Sequence, residues 1–140
     1  MSKESTFESV VSKLSTNQKK FIVEVIGTFI VVVLATGSVV INAKFNGVLG
    51  LPFVAIGVYL FGKISMAHFN PAVSVGFLIT KHITRKLLSL CLSAEILGAF
   101  LASLFVSIVI GNESSLGANA PNYSYPLPLI LEQKFWHQLY

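Results

Sequence analysis

Hydrophobic and polar residues follow one another along this chain in long blocks rather than in short periods. Residues 21–41 form an apolar run broken only by Glu24 and small polar side chains, and residues 87–110 form a second run of 24 residues. Because about 20 apolar helical residues cross the core of a bilayer, each run predicts a spanning helix. Residues 48–66 are also apolar and contain Pro52 near their start. This third run predicts a further span.

A polar interruption follows the 48–66 run. The segment MAHFNPAV places His68 and the pair Asn70-Pro71 between two apolar regions. Asn is a preferred N-cap and Pro favours the first helical position, so a helix is predicted to begin at Pro71 and to cover residues 71–79. Nine helical residues extend only about 14 Å, which is too short to cross a bilayer. A re-entrant half-helix is therefore expected.

The residues before this half-helix are predicted to be extended, and their carbonyl groups need water. Irregular backbone is tolerated at membrane depth only where it is buried in protein or lines a wet cavity. The half-helix N-terminus carries roughly half a positive charge, and Asn70 adds amide donors beside it. This arrangement suits water or polyols in single file and disfavours cations, including protons.

Charge and composition place the chain in the membrane class. It is 54% hydrophobic and 11% charged, contains no Asp and has a net charge of +4, whereas soluble domains carry about 25% charged residues. Lys and Arg occur four times in the N-terminal tail, once in the loop after the first span, four times from the last turn of the second span to the start of the third, and not at all in the loop after the third span. This alternation predicts a cytoplasmic N-terminus. The basic residues form no nucleic-acid-binding stripe. The single Cys91 excludes an internal disulfide, and the absence of nucleophile–base pairs, phosphate loops and metal-ligand spacings argues against an enzyme, a cofactor and a metal site.

Two carboxylates lie within the apolar runs, and a histidine lies just after the 48–66 run. Glu24 follows Lys20 by four positions, so it is either an intramembrane carboxylate that is functional or bracing, or a solvated interfacial one. Glu95 lies deeper in its apolar run than Glu24 does, so it needs a partner or a proton. We expect it to brace the loop at residues 68–70. His68 is expected to be a structural hydrogen-bonding residue rather than a proton carrier. Small residues in the two long runs predict close helix packing: Gly27, Gly37, Ala94, Gly98 and Ala102.

The segment GKISMAHFNPAVSV, residues 62–75, closely resembles the first Asn-Pro-Ala loop of the aquaporin (major intrinsic protein) family. EVIGTF (24–29) and AEILGAF (94–100) resemble its first-helix and third-helix motifs, with Glu95 in place of the usual Gln. The resemblance implies a pore motif of Asn70, Pro71 and Ala72, pore-lining carbonyl groups of Met66, Ala67 and His68, and bracing by Glu24. Met66 departs from the Gly that the family commonly has, which predicts crowding of the loop.

The resulting expectation is an all-α membrane protein with three transmembrane helices and one re-entrant half-helix, corresponding to one of the two inverted repeats of an aquaporin-type channel. Residues 1–20 would be a cytoplasmic tail, 21–110 the repeat, 111–125 an extracytoplasmic loop, and 126–140 an incomplete fourth helix or an unrelated, frame-shifted tail. The chain would lie in the cell membrane, in contact with the lipid bilayer.

As a half-channel fragment it would conduct water, or glycerol and other small neutral solutes, as a homo-oligomer (the family forms tetramers) or with a complementary half-channel. The alternatives are a non-conducting membrane subunit, the product of a disrupted gene, and an inverted-repeat secondary transporter.

Overall fold

The computed structural model of the chain describes residues 12–41 and 50–111, and these two ranges contain helices and no β-strand. The helices are α1 (Thr16–Val40), α2 (Gly50–Ser65), α3 (Pro71–Ile79) and α4 (Arg85–Phe105), and α4 continues into a π-helical turn, Val106–Ile110. The expectations for the N-terminal tail up to residue 11 and for residues 112–140 lie outside the described residues.

Helix α1 begins five residues before the predicted start at Phe21 because local capping chemistry, and not hydropathy, determines its first turn. The Ser15 hydroxyl accepts a hydrogen bond from the Gln18 backbone N–H at 3.3 Å, and Gln18 Oε1 accepts one from the Ser15 N–H at 2.8 Å. This reciprocal pair is a capping box. The basic residues Lys19 and Lys20 consequently lie inside α1.

Among the described residues, two helical stretches are long and apolar enough to cross a membrane, Thr16–Val40 and Arg85–Ile110, whereas Leu51–Ser65 is shorter. The 16 residues of α2 extend about 24 Å, less than the roughly 30 Å of a hydrocarbon core. The third span expected over residues 48–66 therefore stays a prediction. Helix α3 has the bounds of the short helix predicted over residues 71–79.

Helix α1 packs against both α2 and α4, and α3 packs against α4. The contact between α1 and α4 is close because small residues line it. A Cβ atom on Gly98 would lie 2.6 Å from the carbonyl oxygen of Val25 in α1, and Ala94 and Ala102 are fully buried. For Gly98 the predicted close helix approach is confirmed. The contact holds α1 and α4 on either side of the polar side chains described next.

Candidate functional site

Asn70 and Pro71 form the start of α3. Asn70 has an extended backbone, and its Oδ1 atom accepts a hydrogen bond from the Ala72 N–H at 2.8 Å. Pro71 occupies the first helical position, where an N–H group would have no intrahelical partner. Oδ1 serves the cap, and the NH₂ group, which only donates, has no acceptor among the described residues.

Asn70 is exposed, whereas the two residues before it are buried: His68 is 3% and Phe69 4% exposed. The exposed amide lies at the N-terminus of α3, where the helix dipole creates a partial positive charge. The site therefore presents hydrogen-bond donors and a positive potential at one point of the exposed surface.

The loop before α3 is left-handed rather than extended. Met66, Ala67 and Phe69 have φ angles of 69°, 51° and 51°, in a region that L-residues with side chains rarely adopt. Ser65 ends α2, and its hydroxyl accepts a hydrogen bond from the Ala67 N–H at 3.0 Å. Within residues 12–41 and 50–111, no donor is bonded to the carbonyl oxygens of Met66, Ala67 or His68.

Met66 occupies the position where a Gly was expected from the family pattern, and the structure gives a physical reason for that preference. Its side chain is 39% exposed, so it does not crowd the loop interior. Its φ angle of 69° is instead one that Gly adopts without steric penalty. The expected effect of Met66 was crowding, whereas the structure shows backbone strain.

Glu24 connects α1 to this loop. Its two carboxylate oxygens accept hydrogen bonds from the backbone N–H groups of His68 and Phe69, at 3.1 Å and 2.8 Å. The Glu24 side chain is fully buried, so it is not the solvated interfacial carboxylate considered as an alternative. Hydrogen bonds to an ionised acceptor are stronger than neutral ones, and here both hold the strained segment next to Asn70.

A second buried chain of hydrogen bonds joins α4, α3 and the loop. The Ser74 hydroxyl donates to Glu95 Oε1 at 2.6 Å and lies 3.1 Å from His68 Nδ1. With the Ser74 proton given to Glu95, His68 Nδ1 is the donor in its contact with the Ser74 hydroxyl. The ring of His68 also packs on Phe77 with centroids 4.6 Å apart, and its Nε2 has no hydrogen-bond partner among the described residues.

The side chains of Glu24, His68 and Cys91 also lie together, with one potential metal-ligand atom of each within 4.8 Å of the others. The scattered His and Cys positions in the sequence did not indicate this cluster. Both oxygens of Glu24 already accept backbone hydrogen bonds, and His68 Nδ1 already contacts Ser74. These bonds and the burial of all three side chains account for the cluster as a packing contact between α1, the loop and α4.

The structure brings together the residues singled out from the sequence and adds two that were not. Ser74 lies in the motif-matching segment, but nothing in the pattern indicated that it would link Glu95 to His68. Phe69 is the second addition, because its buried ring and left-handed backbone leave no signal in hydropathy. Hydrogen-bond partners and φ angles are set by the tertiary fold.

Comparison with known proteins provides an independent line of observation. A family model described as "Major intrinsic protein" matches residues 11–129 of the chain. No solved structure matches the chain.

Three curated relatives illustrate the similarity. "Aquaporin NIP1-1" of Zea mays is 38% identical over 66% of this chain and 36% of its own length. "Glycerol uptake facilitator protein-like 6" of Lactiplantibacillus plantarum is 37% identical over 73% of this chain and 47% of its own. "Nodulin-26" of Glycine max is 29% identical over 74% and 42%. The chain thus spans less than half the length of these relatives.

Proposed function

This chain belongs to the major intrinsic protein family, and from that premise we propose that it supplies one half of a passive channel for water or small neutral solutes such as glycerol. Channels of this family are integral membrane proteins, and they are transporters rather than enzymes. The observation that carries the proposal is the donor–acceptor arrangement at the start of α3. There the exposed Asn70, whose NH₂ group has no acceptor among the described residues, directly follows a loop whose carbonyl groups have no donor among those residues.

The proposed path uses these groups in sequence. Water accepts a hydrogen bond from the Asn70 NH₂ group and donates to the carbonyl oxygens of Met66, Ala67 and His68, so that each protein contact replaces one lost to bulk water. Pro71 and Ala72 hold the helix start that orients Asn70. The positive N-terminus of α3 repels cations and hydronium.

Glu24 and Glu95 act on this path indirectly in the proposal. Glu24 holds the loop through backbone N–H groups, and Glu95 holds α3 and His68 through Ser74. Neither carboxylate touches the permeating molecule. Both keep the carbonyl groups and Asn70 in one geometry.

The membrane arrangement is part of the same proposal. Helices α1, α2 and α4 cross the cell membrane with the N-terminus in the cytoplasm, and α3 is the re-entrant half-helix. Asn70 is exposed in the single chain, although a pore at membrane depth must be closed off from lipid. We therefore expect a partner to cover it, either within a homo-oligomer or as a complementary half-channel.

Stopped-flow light scattering of proteoliposomes under osmotic shock tests the proposal, with wild type and Asn70→Asp compared at equal protein density. Asp retains the helix cap but removes the NH₂ donors and adds a negative charge. Water flux should exceed that of empty liposomes for wild type and should fall in the variant, which should also leak cations.

Wild-type flux equal to that of empty liposomes would instead favour the alternative function, a non-conducting membrane subunit. The exposure of Asn70 in the single chain also fits that alternative. Saturable uptake that depends on a coupling ion would indicate a transporter.

A further inference from the structure

Phe69 fills a notch between two helices. A Cβ atom on Gly57 of α2 would lie 2.6 Å from Cε2 of the Phe69 ring, and a Cβ atom on Gly27 of α1 would overlap the opposite side of the ring. Real Cβ atoms keep at least 3.4 Å from most neighbours. The ring is thus held between two positions where no side chain fits.

The residues that seat Phe69 are arranged on one face of α1. Glu24 and Gly27 are three positions apart, so they lie next to each other on the helix surface. Glu24 Oε2 accepts the hydrogen bond of the Phe69 N–H at 2.8 Å, and Gly27 admits its ring. One turn of α1 therefore fixes both the backbone and the side chain of the residue directly before Asn70.

The space around the ring allows it to move if the notch is filled. A cavity of about 110 Å³ lies beside Phe69 between α1 and α2, and its other lining residues are apolar. A methyl group added at Gly57 would push the Phe69 ring toward this cavity, which has space to accept it. Because consecutive Cα atoms are about 3.8 Å apart, a shift of the Phe69 backbone that follows the ring moves Asn70 as well.

We propose that Phe69 is a positioning residue whose ring, seated between Gly27 and Gly57, sets the position of Asn70 and of the start of α3. The inference deepens the proposed function, on which its consequence for conduction rests. The packing distance between α1 and α2 thereby determines where the donors of Asn70 lie, although neither glycine touches the permeating molecule.

Size-complementary variants test the seat, with Val73→Cys as the common background for thiol labelling by a maleimide. Val73 is 39% exposed on the first turn of α3, and the native Cys91 is fully buried. Gly57→Ala should change the labelling rate at position 73 about tenfold. A tenfold change corresponds to about 1.4 kcal/mol, which lies in the range for forcing one methyl group into a filled site. Adding Phe69→Leu to Gly57→Ala should restore the rate.

Gly62→Ala is the matched control on the same helix, because a Cβ atom there would have its nearest neighbour at 4.0 Å. It should leave the labelling rate unchanged. The proposal is overturned if Gly57→Ala labels like wild type, or if Phe69→Leu fails to restore it. Should Gly57→Ala not accumulate in membranes, recovery of folded protein in the double variant supports the seat, and no recovery refutes it.

Water flux, measured in parallel, separates this inference from the proposed function. Flux should fall in Gly57→Ala and return in the double variant. A labelling change with rescue, but with no wild-type flux, would leave the seat standing and remove the channel function.

Discussion

Replacing Glu24 with Gln should release the loop that precedes Asn70, and the structure gives the size of the effect. Gln keeps the volume of Glu, but one of its two terminal atoms becomes an NH₂ group that faces a backbone N–H. One of the two hydrogen bonds, to His68 or to Phe69, is then lost and replaced by a donor–donor contact. Because the site is fully buried, no water compensates.

The magnitude follows from two opposing quantities of similar size. The left-handed backbones of Met66, Ala67 and Phe69 cost roughly 1–2 kcal/mol each, about 3–6 kcal/mol together. Two hydrogen bonds to an ionised carboxylate contribute about 1.5–3 kcal/mol each, again about 3–6 kcal/mol. Losing one bond and burying an unpaired donor should therefore destabilise the loop by about 2–4 kcal/mol.

Hydrogen–deuterium exchange of the peptide covering residues 65–75, followed by mass spectrometry in detergent, measures this loss directly. A change of about 2–4 kcal/mol corresponds to about 30- to 1,000-fold faster exchange of the amides of His68 and Phe69. Exchange in α4 away from the loop should stay as in wild type, because the α1–α4 contact at Gly98 is untouched.

Glu95→Gln is the matched control, because the same chemical change should have little effect there. Glu95 accepts a hydroxyl hydrogen bond from Ser74 through Oε1, and the amide oxygen of Gln accepts the same bond. Equal exchange rates in wild type and Glu24→Gln would refute the bracing argument. A larger effect from Glu95→Gln than from Glu24→Gln would refute it as well.

Two further substitutions test the strain and the second hydrogen-bond chain by thermal unfolding in detergent. Met66→Gly should raise the unfolding midpoint, because Gly adopts a left-handed backbone without the penalty of about 1–2 kcal/mol that Met incurs. The greater entropy of Gly in the unfolded state cancels only part of this gain. A lower midpoint would contradict the argument. Ser74→Ala should lower the midpoint by leaving buried Glu95 and His68 without their shared partner, at about 1–3 kcal/mol for each unpaired group. Ser89→Ala, which removes only a hydroxyl bond to a carbonyl of its own exposed turn, is the control, and equal midpoints for the two serine variants would contradict the role of Ser74.

The helices and the start of α3 were accessible from sequence because they depend on local chemistry. Asn70 and Pro71 have short-range preferences for the N-cap and the first helical position, and the apolar residues that follow them continue the helix. Helix α1 begins before the predicted span for the complementary reason. Hydropathy detects the apolar run from Phe21, whereas the capping box at Ser15 and Gln18 extends the helix into polar sequence.

The connections within the site were less accessible because they join residues far apart in the chain. Glu24 meets His68 across 44 positions and Glu95 meets Ser74 across 21. Each carboxylate was recognisable as a buried charge in need of a partner, but its partner depended on how α1, α3 and α4 pack. The notch for Phe69 was not visible at all, since Gly27 was one of several small residues that predict close helix packing and Gly57 was not singled out.

The charge pattern bears on which partner would complete the proposed channel. Lys and Arg occur four, one, four and zero times in the successive polar segments, a strong bias toward one orientation in the membrane. Two copies inserted the same way would be related by an axis along the membrane normal, so both α3 helices would enter from the cytoplasmic side. Asn70 would then meet no second donor from the opposite side. An inverted arrangement, which places half-helices at the midplane from both sides, requires a partner whose charge pattern is reversed. Under the proposed topology, identical copies can therefore assemble side by side, whereas closing the pore opposite Asn70 calls for a half-helix that enters the membrane from the other side.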